Sequence, residues 1–208
     1  MTFKAMTFKA MTLGLAALVL ASSALPALAQ AETTRIRGTL EEVDADKITV
    51  AKRDGGVEPV GLSSDTRFLE VRPVGIEAIQ EGSYIGVAGL PQADGKIRAL
   101  GVMLFPETAR GTNEGHFPWD LQPESTMTNA TVATVEEAGD GREVVVSYKG
   151  GSQTIDITDA GTIASFAPAD ASILSVGAKV TVVVRQAADG LPGAVAVLVG
   201  KDGFTPPN

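Results

Sequence analysis

The chain has no cysteine, a single histidine and few aromatic residues. Each shortage removes a class of chemistry. Without cysteine there is no disulfide, no thiolate nucleophile and no zinc or iron–sulfur centre held by sulfur. With His116 alone, no two- or three-histidine metal centre forms within one chain. Aromatics make up 5% of the 208 residues and charged residues 20%, alongside 23 glycines. That balance excludes a coiled coil or a disordered tail and leans toward β-structure. No glycine-rich phosphate loop, nucleophile elbow or catalytic triad appears. The expectation is a globular protein that is not an enzyme.

Long apolar runs are also missing beyond the N-terminus. Residues 1–29 read as a secretory signal peptide. Lys4 and Lys9 supply its positive end, Leu13 to Ala21 its apolar core, and Ala27-Leu28-Ala29 the small residues of a cleavage site. The apolar run is about half of the ~20 residues a membrane helix needs. The unit MTFKA occurs at 1–5 and again at 6–10, a local duplication. A periplasmic or secreted protein with no membrane span after cleavage is expected. Removing Lys4 and Lys9 leaves 25 acidic against 15 basic residues, a net charge of −10. Such a surface repels phosphate backbones and anionic membranes, so nucleic acid is not an expected partner.

What remains reads as two copies of one unit. Residues 36–105 align with 129–200 at a nearly constant offset of 95. Gly56 falls on Gly151, Pro73 on Pro168 and Gly82 on Gly177. Val60 falls on Ile155, Ile85 on Val180, Val87 on Val182 and Val102 on Val197. Only the first hairpin differs: Thr39 meets Thr131 at an offset of 92, because the second copy has a longer turn at Gly139-Asp140-Gly141. Within the first copy, alternation predicts strands over 35–43, 47–51, 57–62, 83–90 and 96–105, with a short crossover at 76–80. The fold expected is all-β, a tandem duplication of a small five- to six-stranded OB-like barrel joined by an ordered linker. The boundaries would be a first barrel at 30–105, a linker or clasp at 106–127 and a second barrel at 128–208. Neither half shows a basic stripe by inspection, so the barrel class does not imply oligonucleotide binding.

The linker holds the only histidine, the only tryptophan and three prolines. Phe117, Trp119 and Leu121 are costly to leave in water, so an ordered path is expected, with Trp119 filling the groove between the barrels. Pro118 should hold Phe117 extended. Two readings of the stretch compete. In one, His116 and Asp120 hydrogen-bond to fasten a clasp. In the other, His116 is a metal ligand or general base, oriented by Asp120 or Glu114, with Met127 adding a thioether for a soft metal such as copper. Arg110, Glu114, His116, Trp119 and Asp120 are therefore the candidate ligand-binding or clasp residues, and His116 and Met127 the candidate metal ligands. No organic cofactor is implied; a metal ion is the one cofactor the residues admit. The acidic turns Glu41-Glu42-Asp44-Asp46 and Glu136-Glu137-Asp140 match no calcium loop and read as solvated. Asn129-Ala130-Thr131 fits a glycosylation sequon.

The segment FPETARGTNEGHFPWDLQPESTMTNATV, residues 105–132, resembles the signature of an uncharacterised family of secreted proteobacterial proteins. Its features are Glu114-Gly115-His116, Pro118-Trp119-Asp120 and Ser125 to Thr131. The closing Gly200-Lys201-Asp202-Gly203 with Pro206-Pro207 is similar as well. The flanking units resemble bacterial repeats of unknown function with OB-like topology. Some relatives carry a metal-transporter permease label, which needs several membrane spans that this sequence lacks. Thr158-Asp159-Ala160-Gly161 departs from the family, whose members tend to carry prolines there. The resemblance implies no established activity; the repeat, the signal and the sparse catalytic inventory lead to the expectation of a binding module whose partner is an unknown small ligand or a periplasmic protein.

Overall fold

A computed structural model describes residues 1–2, 33–157, 162–187 and 190–207. The expected leader, apart from its first two residues, and residues 158–161, where the sequence departs from the family it resembles, lie outside the described residues. Ala31–Asn208 forms one compact unit. Among the described residues it is all-β, and its helical pieces are single 3-10 turns of three residues. No described helix is long and apolar enough to cross a membrane.

The first half contributes β1 (Thr33–Val43), β2 (Lys47–Lys52), β3 (Val57–Gly61), β4 (Arg67–Pro73), β5 (Tyr84–Pro91) and β6 (Ile97–Leu104). The linker adds β7 (Gly115–Pro118). The second half supplies β8 (Thr126–Ala138), β9 (Gly141–Tyr148), β10 (Gly151–Asp156), β11 (Ile163–Ala169), β12 (Lys179–Arg185) and β13 (Gly193–Gly200). Alternation explains most of them. In β1 the side chains of Ile36 and Leu40 are buried, while Arg35, Arg37 and Thr39 point the other way. Strand β5 breaks the rule: Tyr84 to Gly89 is buried without interruption. Its second face is covered by Phe105 and the linker. A Cβ on Gly86 would stand 2.6 Å from Asn129 Oδ1 and 2.9 Å from the Phe105 ring, so only glycine fits without movement.

The pairings close two rings. β1, β2, β3, β13 and β12 form one, shut by a parallel contact between Gly61 and Gly193. β8, β9, β10, β6 and β5 form the other, shut by Ile155–Ile97 and Asp156–Arg98. Each ring encloses its own core. Leu40, Ile48, Val50, Val60, Val180, Val182 and Val197 fill the first. Ile79, Ile85, Val87, Val102, Val146, Ile155 and Ile157 fill the second.

This corrects the expectation of one barrel closed within 30–105 and another within 128–208. Each ring takes three strands from one half and two from the other. The reason is β4, a stretch that alternation alone leaves as a loop. Seven extended residues reach roughly 23 Å, so β4 carries the chain out of the first ring instead of turning it back. It runs parallel to β13 and antiparallel to β11, which makes the same passage in the second half and lies parallel to β6.

The seam between the rings is a third apolar cluster. Val71, Met103 and Ala164 are buried there, with Phe105, Phe166, Leu198 and Phe204 packed on them. The Phe105 ring meets Tyr84 and Phe166 edge-on at 5.2 and 5.1 Å. Trp119 belongs to none of the buried clusters. The seam is filled by these phenylalanines, not by the tryptophan expected there.

Candidate functional site

The linker leaves β6 and is fastened to the second ring at successive points. Arg110 forks onto Glu107 at 2.6 and 2.7 Å and donates to the Gly82 carbonyl at 2.8 Å. The Tyr84 hydroxyl donates to the Thr112 carbonyl at 3.0 Å, and the Asn129 amide to the Asn113 carbonyl at 3.0 Å. Glu114 Oε1 accepts the Lys149 backbone N–H at 2.9 Å. Arg110 and Glu114 are thus both engaged in holding the chain down. Asn129 is buried in the sheet, a position no glycan-transferring enzyme reaches in the folded protein, so the sequon is a packing feature.

Strand β7 pairs antiparallel with β8, His116 opposite Thr128 and Phe117 opposite Met127. Phe117 and Pro118 are extended, as the proline predicts. His116 Nδ1 lies 2.8 Å from the Thr128 hydroxyl, and its ring stacks on Tyr148 with centroids 6.4 Å apart. Burial holds its pKa below the usual histidine value. Two expected arrangements are absent. Asp120 is not the partner of His116, because its carboxylate is drawn to two arginines. Met127 is buried and lies on the opposite face of the hairpin from His116, since neighbours along a strand alternate. The register therefore does not bring His116 and Met127 together. Among the described residues no cluster of three histidine, aspartate or glutamate side chains has metal-binding geometry.

Beyond β7 the chain makes a tight loop. The Trp119 backbone N–H donates to the Ser125 carbonyl at 2.8 Å. Ser125 Oγ lies 2.7 Å from the Gln122 carbonyl and 3.0 Å from that of Trp119. Ser125, Thr128, Asn129 and Thr131 all serve to hold the linker. The polar run of β8 that looks like a motif is the row of pegs for this purpose.

The loop projects Trp119 and Asp120 from the second ring onto β1 of the first. Asp120 accepts from Arg37 Nη2 at 2.7 Å and reaches Arg35 Nη1 at 3.5 Å. The Arg35 guanidinium lies 3.7 Å from the centre of the Trp119 ring, a close cation–π contact. Burial alone would raise the pKa of Asp120. The hydrogen bond from Arg37 and the charges of Arg37 and Arg35 outweigh that and hold it below the ordinary range. Trp119 and Asp120 thus contact a pair of arginines on β1, and Asp120 does not contact His116.

Sequence reading missed those arginines. Arg35 and Arg37 are two apart on β1 and so share its outer face. Arg53, just past β2, donates its backbone N–H to the Arg37 carbonyl and extends the same patch. A basic patch is present after all. The alternation Arg-Ile-Arg was the available signal, hidden because half-by-half charge counts are acidic.

With the geometry in place, similarity adds one fact. Residues 37–102 match the family described as Domain of unknown function (DUF5666). The match runs from β1 into β6, the first half of the repeat alignment, and stops short of the linker. Neither a curated protein nor a solved structure matches the chain.

Proposed function

We propose that this protein is a non-enzymatic, exported binding or interaction module, working in the periplasm or outside the cell on a small ligand or a periplasmic protein. The observation that carries this reading is the state of His116. The residue best suited to act as a base is tied to Thr128 and Tyr148, and among the described residues no carboxylate hydrogen-bonds to it. The polar groups of the linker fasten it, and what remains open to a partner is the charged face where Trp119 and Asp120 meet β1. A panel of hydrolase and oxidoreductase assays on the mature protein should find no turnover. A robust activity lost in His116→Ala would overturn the reading. Calorimetry against Cu(I), Cu(II) and Zn(II) should find nothing tighter than roughly micromolar, about −8 kcal/mol. The first residue of the exported form should be Gln30, which N-terminal sequencing checks.

We infer further that the two halves are copies of one OB-like unit that have exchanged their last two strands. Register supports this. The pair Thr39–Lys179 corresponds to Thr131–Tyr84, Gly61–Gly193 to Asp156–Arg98, and Phe68–Val197 to Ile163–Val102. These are the offsets of the sequence alignment. Val71 pairs with Phe166, its own counterpart, so a pseudo-twofold axis passes through the β4–β11 ladder.

A further inference from the structure

We propose that Arg35, Arg37 and Arg53 on the outer face of the first ring form a binding site for a small ligand carrying a doubly charged oxyanion, a phosphate or a phosphomonoester. The inference rests on the binding-module reading above and names the chemistry of its ligand.

Charge is the first argument. Arg35 and Arg37 share Asp120, Arg53 is bonded through its backbone to Arg37 beside them, and among the described residues Asp120 is the one carboxylate in contact with this set. Arg110 and Arg142 each have a carboxylate to themselves, Glu107 and Glu137, whereas here Asp120 is shared between two guanidiniums. At this patch two positive charges are left over, in a protein whose mature net charge is strongly negative. The side chains of Arg35 and Arg37 are 21% and 12% exposed, so water screens the excess poorly. Burial and the proximity of Arg37 both work against the charged forms of Arg35 and Arg53. A dianion beside Asp120 would neutralise the set.

Unmet hydrogen bonding is the second argument. Arg37 Nε and Trp119 Nε1 are buried without a partner. Both are donors, so what they lack is an acceptor. Among the described residues the Arg53 side chain makes one hydrogen bond, a long one to the Pro206 carbonyl at 3.4 Å. Asp120 demonstrates the mode of recognition, its two oxygens bridging two guanidiniums as an incoming oxyanion would. A long polyanion is excluded by the acidity of the remaining surface, which leaves a compact ligand.

The test is a titration of the full mature chain with inorganic phosphate and, separately, with glycerol phosphate, at constant ionic strength set by chloride. Trp119 is the only tryptophan and lies under Arg35, so its emission reports on the site, and calorimetry provides a second readout. A saturable response with half-saturation below about 1 mM is expected for at least one probe. Equal response to both identifies free phosphate as sufficient, and a preference for glycerol phosphate points to a phosphorylated ligand. Arg53→Gln removes only one long hydrogen bond from the fold and should weaken binding about tenfold with an unchanged melting midpoint. Lys96→Gln, on the other ring, should bind as wild type. No saturable response to either probe, a response reproduced by chloride, or equal binding in Arg53→Gln would each overturn the proposal. None of those results touches the binding-module reading, which fails on turnover instead.

Discussion

Replacing Asp120 by alanine should loosen the attachment between the rings, and its cost follows from the geometry. The carboxylate neutralises Arg37 at 2.7 Å and lies 3.5 Å from Arg35. Two unit charges about 4 Å apart attract by roughly 4 kcal/mol at an effective dielectric constant near 20. The Asp120 side chain is 44% exposed, so much of this is screened. Fully exposed pairs contribute about 0–1 kcal/mol and breaking a buried pair costs about 3–5 kcal/mol. The site stands between these limits, and Asp120→Ala should lose about 2 kcal/mol. With an m-value near 2 kcal/mol/M, the urea midpoint should fall by about 1 M. Unfolding followed by Trp119 emission and by far-ultraviolet circular dichroism measures this. The pH dependence provides an independent arm. The folded pKa of Asp120 is depressed, so between the folded and unfolded values the unfolded chain binds more protons. Its contribution is complete above about pH 3.9 and is lost as pH falls through the folded value. Asp120→Asn should flatten that part of the acid limb. A midpoint unchanged in Asp120→Ala, or a loss as large at pH 2 as at pH 7, would refute the reasoning.

Three further outcomes follow from the same structure. His116→Gln should cost about 1–2 kcal/mol, one hydrogen bond with its stacking; because burial lowers the histidine pKa, the wild type should lose stability as pH falls below about 6.5 while the variant does not, as thermal melts across that range would reveal. Gly86→Ala should destabilise by about 1–3 kcal/mol, since its Cβ meets Asn129 and the Phe105 ring, and near-ultraviolet circular dichroism should register the displaced phenylalanine. Val71→Ala, fully buried at the centre of the β4–β11 ladder, should cost about 2 kcal/mol in chemical unfolding.

Most strands facing a ring interior were legible because one face is buried and the other is not, and β5, covered on both faces, was legible from its inward pair. Ile36 and Leu40, Ile48 and Val50, and Ile85 and Val87 announce themselves by spacing alone. β4 and β11 were not legible, because they pack between the rings. Phe68, Leu69 and Val71 do not alternate, and the neighbouring charges and Pro73 resemble a loop. The mixing of strands from both halves within each ring was hidden for a different reason. The spacing of Ile85 and Val87 says which face of β5 turns into a ring but not which strand lies beside it, and β1 and β8 offer it the same pattern. At the site, the unusual residues of the linker were visible, and Trp119 and Asp120 are the ones that reach β1. Their partners were not visible, because Arg35 and Arg37 lie 85 and 83 residues from Asp120. His116 drew attention as the only histidine, yet its environment makes it a fastening.

The pairing of β1 with β12, which builds the first ring from both halves, is the claim to test first. Thr39 and Lys179 face each other across β1 and β12, with Lys179 Nζ 2.9 Å from Thr39 Oγ1. The chain has no cysteine of its own, so the double variant Thr39→Cys, Lys179→Cys introduces the only two thiols. The account predicts that mild oxidation closes a disulfide within one chain, with no new cross-link between chains and its circular dichroism unchanged. Thiols that stay free in the folded protein, or a disulfide that forms only between chains, would contradict it.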